Sequence, residues 1–188
     1  MKYSENVWAD KILIEVLAKN GVVVMPTDTI YGIVGRAEDK EVVEKIYKMR
    51  GRSPLKPCIV LIGDVSELKK FNITLTDEQK KIIESYGEPT SFILDCPDER
   101  FSYLHRGTKT LAFRIPKEND LKNLLLQTGP LVAPSANREG EDPAQNIEEA
   151  KKYFGDLVDL YVNGGEIKRH PSKVIRLYKD GSVGIIRE

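Results

Sequence analysis

Alternation is what most constrains this chain. Short apolar runs of strand length recur between residues 22 and 187, and between them lie segments whose apolar residues repeat at helical spacing. Ala9, Ile12, Leu13, Val16 and Leu17 predict a first helix stopped at Asn20-Gly21, followed by a buried strand over Val22–Met25 that ends at Pro26. Val42, Val43, Ile46 and Tyr47 predict a second helix with Asp39 as its N-cap, ahead of a buried strand at Cys58–Ile62. Thr76-Asp77-Glu78-Gln79 matches a capping box, and the helix it opens should stop at Gly87. Strands are predicted at Ser91–Asp95 and Thr110–Ile115. A helix capped by Asn119 and ended by Gly129 follows, then a short strand at Leu131–Ala133. A polar loop, Pro134–Gln145, leads to a helix from Asn146 to Gly155 and a strand at Val158–Val162. Val174–Tyr178 and Val183–Arg187 predict a hairpin turning at Lys179-Asp180-Gly181. Such alternation predicts an α/β fold with helices packed on a sheet; it leaves the strand order open.

Length and composition narrow the function classes. A chain of 188 residues, without repeat, low-complexity stretch or linker, is expected to form a single domain over 1–188. Hydrophobic residues at 40% and charged residues at 31% exclude a disordered chain. No apolar run approaches the roughly 20 residues of a membrane helix. Met1–Asp10 carries Lys2, Glu5 and Asp10 and lacks the apolar core of a secretory signal, so a soluble, cytoplasmic protein is expected. Two cysteines, Cys58 and Cys96, make neither a disulfide framework nor a zinc site. His105 and His170 stand alone, and neither a GxSxG nucleophile motif nor a GxxxxGK[ST] phosphate loop occurs. Cys58, inside an apolar strand, reads as a core residue.

Lys+Arg and Asp+Glu are both 29, which excludes a protein that is basic all over. There is a local exception. Lys45, Lys48, Arg50, Arg52 and Lys56 fall between Lys45 and Pro57 with no acid among them. They form either a solvated helix end or an anion site.

Ligands in open α/β sheets gather beyond strand ends, so the loops after the buried strands are where chemistry is expected. Pro26-Thr27-Asp28-Thr29-Ile30-Tyr31-Gly32 offers two hydroxyls and a carboxylate for a ligand, or for closing a tight turn. Arg50-Gly51-Arg52 carries two guanidinium forks, suited to phosphate or carboxylate, on either side of a glycine. In Thr110–Ile115, period two puts Leu111, Phe113 and Ile115 on one face and Thr110, Ala112 and Arg114 on the other. Thr110 and Arg114 are then about 13 Å apart along one side of the sheet. Arg114 must meet solvent, as on an edge strand, or an anion. Ala133-Pro134-Ser135-Ala136-Asn137 follows a buried strand with small hydroxyl and amide groups.

In this order the segments resemble the YrdC family of threonylcarbamoyl-adenylate synthases. Pro26–Gly32 is similar to its P-T-[D/E]-T-x-Y-G, Arg50-Gly51-Arg52 to its K-G-R loop, and Thr110, Arg114 and Pro116 to its T-x-x-x-R-x-P strand. Pro134–Asn137 is its P-S-A-N, and Ser172-Lys173-Val174 its late S-x-V. The resemblance covers roughly residues 10–187 and implies a twisted open mixed sheet with flanking helices around a basic cavity. It implies synthesis of threonylcarbamoyl-AMP and pyrophosphate from L-threonine, bicarbonate and ATP. That is the first step toward threonylcarbamoyladenosine (t6A) in tRNA, and a downstream tRNA threonylcarbamoyl transferase would take the product. Carried over residue by residue, Arg50 and Arg52 would act on the phosphates. Thr110, Ser135, Asn137 and Arg187 would join them around the nucleotide, while Thr27, Tyr31, Arg114, Ala133 and Ser172 would face threonine. No residue is implied as a metal ligand; Mg2+ is expected to arrive with ATP, held by phosphates and water.

The chain also departs from the pattern. Arg50 replaces a lysine, Glu139 stands where a hydroxyl is usual, and Lys173 and Arg176 change S-T-V-[V/I]-D to S-K-V-I-R. If Glu139 and Arg176 filled the pocket, catalysis would be blocked. The chain would then be a YciO-type paralogue binding tRNA or double-stranded RNA through the Lys45–Lys56 patch. A carbamoyl-transfer domain like that of hydrogenase maturation proteins is the third reading.

Overall fold

Burial on both faces explains why the first strands read as unbroken apolar runs. β1 (Val23–Pro26) is wholly buried, and its alternate side chains enter two separate cores. The computed structural model describes residues 7–188, so Lys2 and Glu5 lie outside the described residues. Val23 and Met25 pack with α1 (Lys11–Ala18) on one side, while Val24 joins α2 (Lys40–Arg50) on the other. α1 is capped by Asp10, whose carboxylate accepts from Ile12 N–H, and the chain turns at Asn20 with φ 62°.

β2 (Tyr31–Arg36) is the strand that patterning missed. Two glycines and burial on both faces leave it without a polar alternation. Gly35 has a steric role: a Cβ there would fall 2.3 Å from Val42 Cγ1, so only glycine lets α2 lie this close to the sheet. Asp39 caps α2 through Glu41 and Val42 N–H, as expected, and Gly51 ends it in the left-handed region at φ 58°.

The remaining strands are β3 (Ile59–Leu61), β4 (Thr90–Asp95), β5 (Thr110–Arg114), β6 (Leu131–Val132), β7 (Leu160–Tyr161), β8 (Lys173–Leu177) and β9 (Val183–Arg187). With β1 and β2 they form one mixed sheet, ordered β7-β1-β2-β6-β3-β5-β4-β8-β9. β3–β5, β4–β8 and β1–β7 pair in parallel, and the other neighbours are antiparallel. The remaining helices are α3 (Asp77–Ser85), α4 (Ser102–His105), α5 (Asn119–Thr128) and α6 (Ile147–Phe154). Thr76 and Gln79 make the reciprocal capping box of α3, which stops at Ser85, two residues before Gly87. Glu118, not Asn119, precedes α5, and Asn146 caps α6 through Glu149 N–H. A 3-10 segment at Val65–Phe71 and the short α4 have too few periodic residues to be read from sequence.

α5 joins α1 in the smaller core through Leu121, Leu124 and Leu125. The larger core is cemented by Phe71, whose ring meets those of Phe113 and Phe101 at 5.0 and 5.3 Å. Among the described residues, no helix is long and apolar enough to cross a membrane.

Candidate active site

The P-T-D-T turn after β1, the end of α2, one face of β5, the loop after β6 and the β8–β9 hairpin converge on one cavity of about 630 Å3. This lies within the usual range for small-molecule sites. Its charged lining side chains are Arg50, Arg52, Arg114 and Arg187, and no carboxylate lines it among the described residues. Hydroxyls of Thr27, Thr29, Thr108, Thr110, Ser135 and Ser172 add neutral donors and acceptors, and Ile30, Ile59, Ile93 and Val174 supply apolar wall.

Arg50 reaches the cavity because Gly51 stops α2 immediately after it. Its Nε donates to Asn137 O at 2.9 Å, and its Nη2 to Asn137 Oδ1 at 2.9 Å and Ser135 Oγ at 3.2 Å. Nη1 is buried without a hydrogen-bond partner. Burial, reinforced by the nearby Arg52 charge, lowers the Arg50 pKa from its ordinary value. Arg52 folds over its own loop, donating from Nε to Lys56 O at 3.1 Å and from Nη2 to Pro57 O at 2.9 Å.

Another wall is built on β5. Thr110, Ala112 and Arg114 line the cavity, while Leu111 and Phe113 enter the core, as period two requires. β5 is interior, between β3 and β4, so Arg114 has no edge to escape from. It meets an anion instead: Nη2 donates to Asp28 Oδ1 at 2.8 Å, with side-chain exposures of only 4% and 1%. Nη2 also contacts Thr27 Oγ1 at 3.4 Å, and Nε is buried without a partner. Desolvation raises the Asp28 pKa despite the Arg114 charge, and Glu118 pushes in the same direction.

Thr27 serves both alternatives that its motif left open. Its Oγ1 closes the turn by donating to Ile30 O at 2.7 Å, and the residue still lines the cavity. Ser172 also lines it; its hydroxyl pairs with Ser91 Oγ at 2.9 Å, and its carbonyl accepts from Arg187 Nε and Nη2. Burial first, and Arg114 second, lower the Arg187 pKa.

Other expected site residues are placed differently. Asn137 is not on the cavity wall: its Oδ1 holds Arg50, and its Nδ2 donates to Arg138 O and Glu141 O. Tyr31 lines the cavity but its hydroxyl is a staple, accepting from Gly164 N and donating to Gly165 O, both at 2.8 Å. Ala133 also lines it, with its N–H donated to Ile59 O. Cys58 is buried as expected, yet it forms wall as well as core. Thr29 and Thr108 were missed; Thr29 shares the motif of Thr27 and could have been found there.

The basic run divides. Arg50 and Arg52 turn inward, Lys45 pairs with Asp159 at 3.1 Å, and Lys56 pairs with Glu139 at 2.6 Å. Apart from Arg50, the departures from the motif pattern find partners outside the cavity. Lys173 pairs with Glu88 at 2.7 Å, and Arg176 pairs with Asp95 and lies over the Tyr178 ring. Neither Glu139 nor Arg176 is among the lining residues.

Comparison with known proteins places the fold in a family. A threonylcarbamoyl-AMP synthase of Bacillus subtilis is 31% identical over 152 residues, covering 79% of this chain and 44% of its own length. The chain thus spans less than half of that relative. The crystal structure of Escherichia coli YciO matches with a TM-score of 0.80 and 27% identity, covering 94% of this chain and 87% of that one. Pyrococcus abyssi Sua5 complexed with L-threonine shares the fold, with a TM-score of 0.79 and 24% identity over 91% of this chain and 51% of that chain. The model of one domain family, described as "Telomere recombination", matches residues 15–188, and the chain belongs to that Sua5/YciO/YrdC family.

Proposed function

We propose that the chain is a threonylcarbamoyl-AMP synthase, acting in the cytoplasm on L-threonine, bicarbonate and ATP. One observation carries it: four arginines line a single cavity, and three of the residues that depart from the family pattern, Glu139, Lys173 and Arg176, are paired outside it, while the fourth, Arg50, keeps a cation in it. In the reaction, the threonine amine takes up bicarbonate with loss of water to give a carbamate. A carbamate oxygen then attacks the α-phosphorus of ATP, and pyrophosphate leaves. No protein nucleophile is required.

The walls divide the labour. Arg50 and Arg52, with Thr110 and Ser135, face the phosphates, and Arg187 closes the nucleotide side. Arg114 receives the threonine carboxylate, with Thr27 and Ser172 beside it. Holding two reactants in line is worth about 7–11 kcal/mol. The guanidiniums supply the rest as phosphoryl charge develops. Mg2+ supplies charge neutralisation on the phosphates. A wall of hydroxyls and guanidiniums without carboxylates fits an ion held by phosphates and water rather than by the protein.

Incubation with ATP, threonine and bicarbonate should release pyrophosphate only when all three are present; release independent of threonine refutes the assignment. The match to most of the YciO chain favours a second reading, an RNA-binding paralogue without turnover. The pairing of Lys45 and Lys56 counts against it, because ion-paired lysines release fewer counterions on meeting a phosphate backbone. Salt-independent or undetectable tRNA binding alongside turnover would leave the tRNA to a downstream threonylcarbamoyl transferase.

A further inference from the structure

Two loops far apart in sequence bring the phosphate-facing groups to the cavity: residues 50–57 and residues 133–139. They are zipped together. Arg50 bonds Asn137 and Ser135, and Glu139 N–H donates back to Arg50 O at 2.8 Å. Beyond Arg50 the backbone has no regular structure until β3, and two side chains outside it hold it: the Tyr47 hydroxyl donates to Lys56 O at 2.7 Å, and the Glu139 carboxylate takes two donors. Glu139 Oε1 accepts from Lys56 Nζ at 2.6 Å, and Oε2 accepts from Ser53 N–H. Those contacts, the Lys56 ammonium first and the Ser53 amide second, hold the Glu139 carboxyl below its ordinary pKa.

The consequence falls on Arg52. Its guanidinium rests on the carbonyls of Lys56 and Pro57, so its position depends on the conformation of residues 53–57. Tyr47 holds one of those carbonyls, Lys56 O, and Glu139 pins the Ser53 amide and the Lys56 ammonium from outside the cavity. A serine in its place has neither the reach nor the charge to hold an amide and an ammonium together.

We propose that Glu139 is a positioning residue that sets where Arg52 meets the phosphates of the nucleotide, an inference resting on the synthase reading for its ligand. The opposite role is also conceivable on charge alone. A carboxylate that merely neutralises Lys56 would weaken nucleotide binding, and its removal would free a cation at the rim. The two roles predict opposite signs.

The experiment uses the full chain with Glu139→Ala and Glu139→Gln. Glu139→Ala should raise KM for ATP about tenfold, the scale of one charge-assisted contact, with kcat and KM for threonine within about twofold. Glu139→Gln keeps an acceptor for Ser53 N–H and should recover most of that loss. Hydrogen exchange of the Ser53 amide should accelerate in Glu139→Ala, with the amides of Leu111 and Phe113 unchanged. An unchanged or lowered KM for ATP overturns the proposal, as does Ser53 exchange equal to that of the unmodified chain. If the unmodified chain turns over no substrate, the synthase reading fails separately. The exchange measurement, and direct binding of a non-hydrolysable ATP analogue, then still decide the role of Glu139.

Discussion

Arg50 and Arg114 line one cavity, yet they are held by opposite means. Arg50 rests on neutral oxygens, those of Asn137 and Ser135, and keeps its whole charge for a ligand. Arg114 is ion-paired with Asp28 at 2.8 Å, so any carboxylate reaching it must share or displace a resident one. The difference teaches that burial alone does not define an anion site; the charge of the supporting atoms decides how much attraction remains. Under the proposed function, a polyphosphate would suit the uncompensated side, and a single small carboxylate the compensated one.

Four substitutions test that contrast. Arg114→Met leaves Asp28 buried with only Glu118 for electrostatic company, and should cost about 3–5 kcal/mol of stability. Asp28 is pushed up by burial, so in the folded state it binds its proton more tightly than when unfolded. Stability then rises as pH falls through the window above an ordinary aspartate value, and the gap between Arg114→Met and the unmodified chain should narrow in acid. Thermal melts between neutrality and mild acid measure it; a gap that widens in acid contradicts the assigned pair.

Arg50→Met removes the uncompensated charge, and ATP affinity should fall more than about a hundredfold, near 3 kcal/mol, by calorimetric titration. A loss no greater than that of threonine affinity would erase the distinction between the walls. Arg52→Ala removes a cation already bonded to its own loop, and should cost about 1.5–3 kcal/mol of ATP binding. The smallest effect belongs to Asp28→Asn. An amide oxygen still accepts from Arg114, and the cavity can hydrate the guanidinium, so stability should drop by only about 1 kcal/mol. KM for threonine should fall, because Arg114 is no longer neutralised; a rise would mean that Asp28 itself contacts substrate.

Local pattern was enough for the parts of the site that one element supplies. The alternation of Thr110, Ala112 and Arg114 was legible because a strand repeats every two residues. The cap at Asp39 was legible as well, whereas the stop at Gly51 that puts Arg50 at the helix end is a finding of the structure. What remained hidden came from distant partners. Nothing near Arg114 announces Asp28, 86 positions earlier, as its counterion. The run from Lys45 to Lys56 looked continuous because its neutralising acids, Asp159 and Glu139, lie over 80 residues away. β2 was hidden for a different reason: Gly32 and Gly35 serve close packing and offer no periodic signal.

The order of strands also has a consequence in time. β7 joins β1 across 137 positions through Asp159 and Val22, and the hairpin that brings in Ser172 and Arg187 follows it in the chain. Contacts of such sequence separation form late, because the loops they close carry the largest entropy. During synthesis, then, the first 160 residues can collapse around their cores while the cavity still lacks a wall. Closure of the cavity then comes late in folding, and a chain interrupted before β9 keeps Arg50 and Arg114 with their partners but lacks the strand that completes the wall.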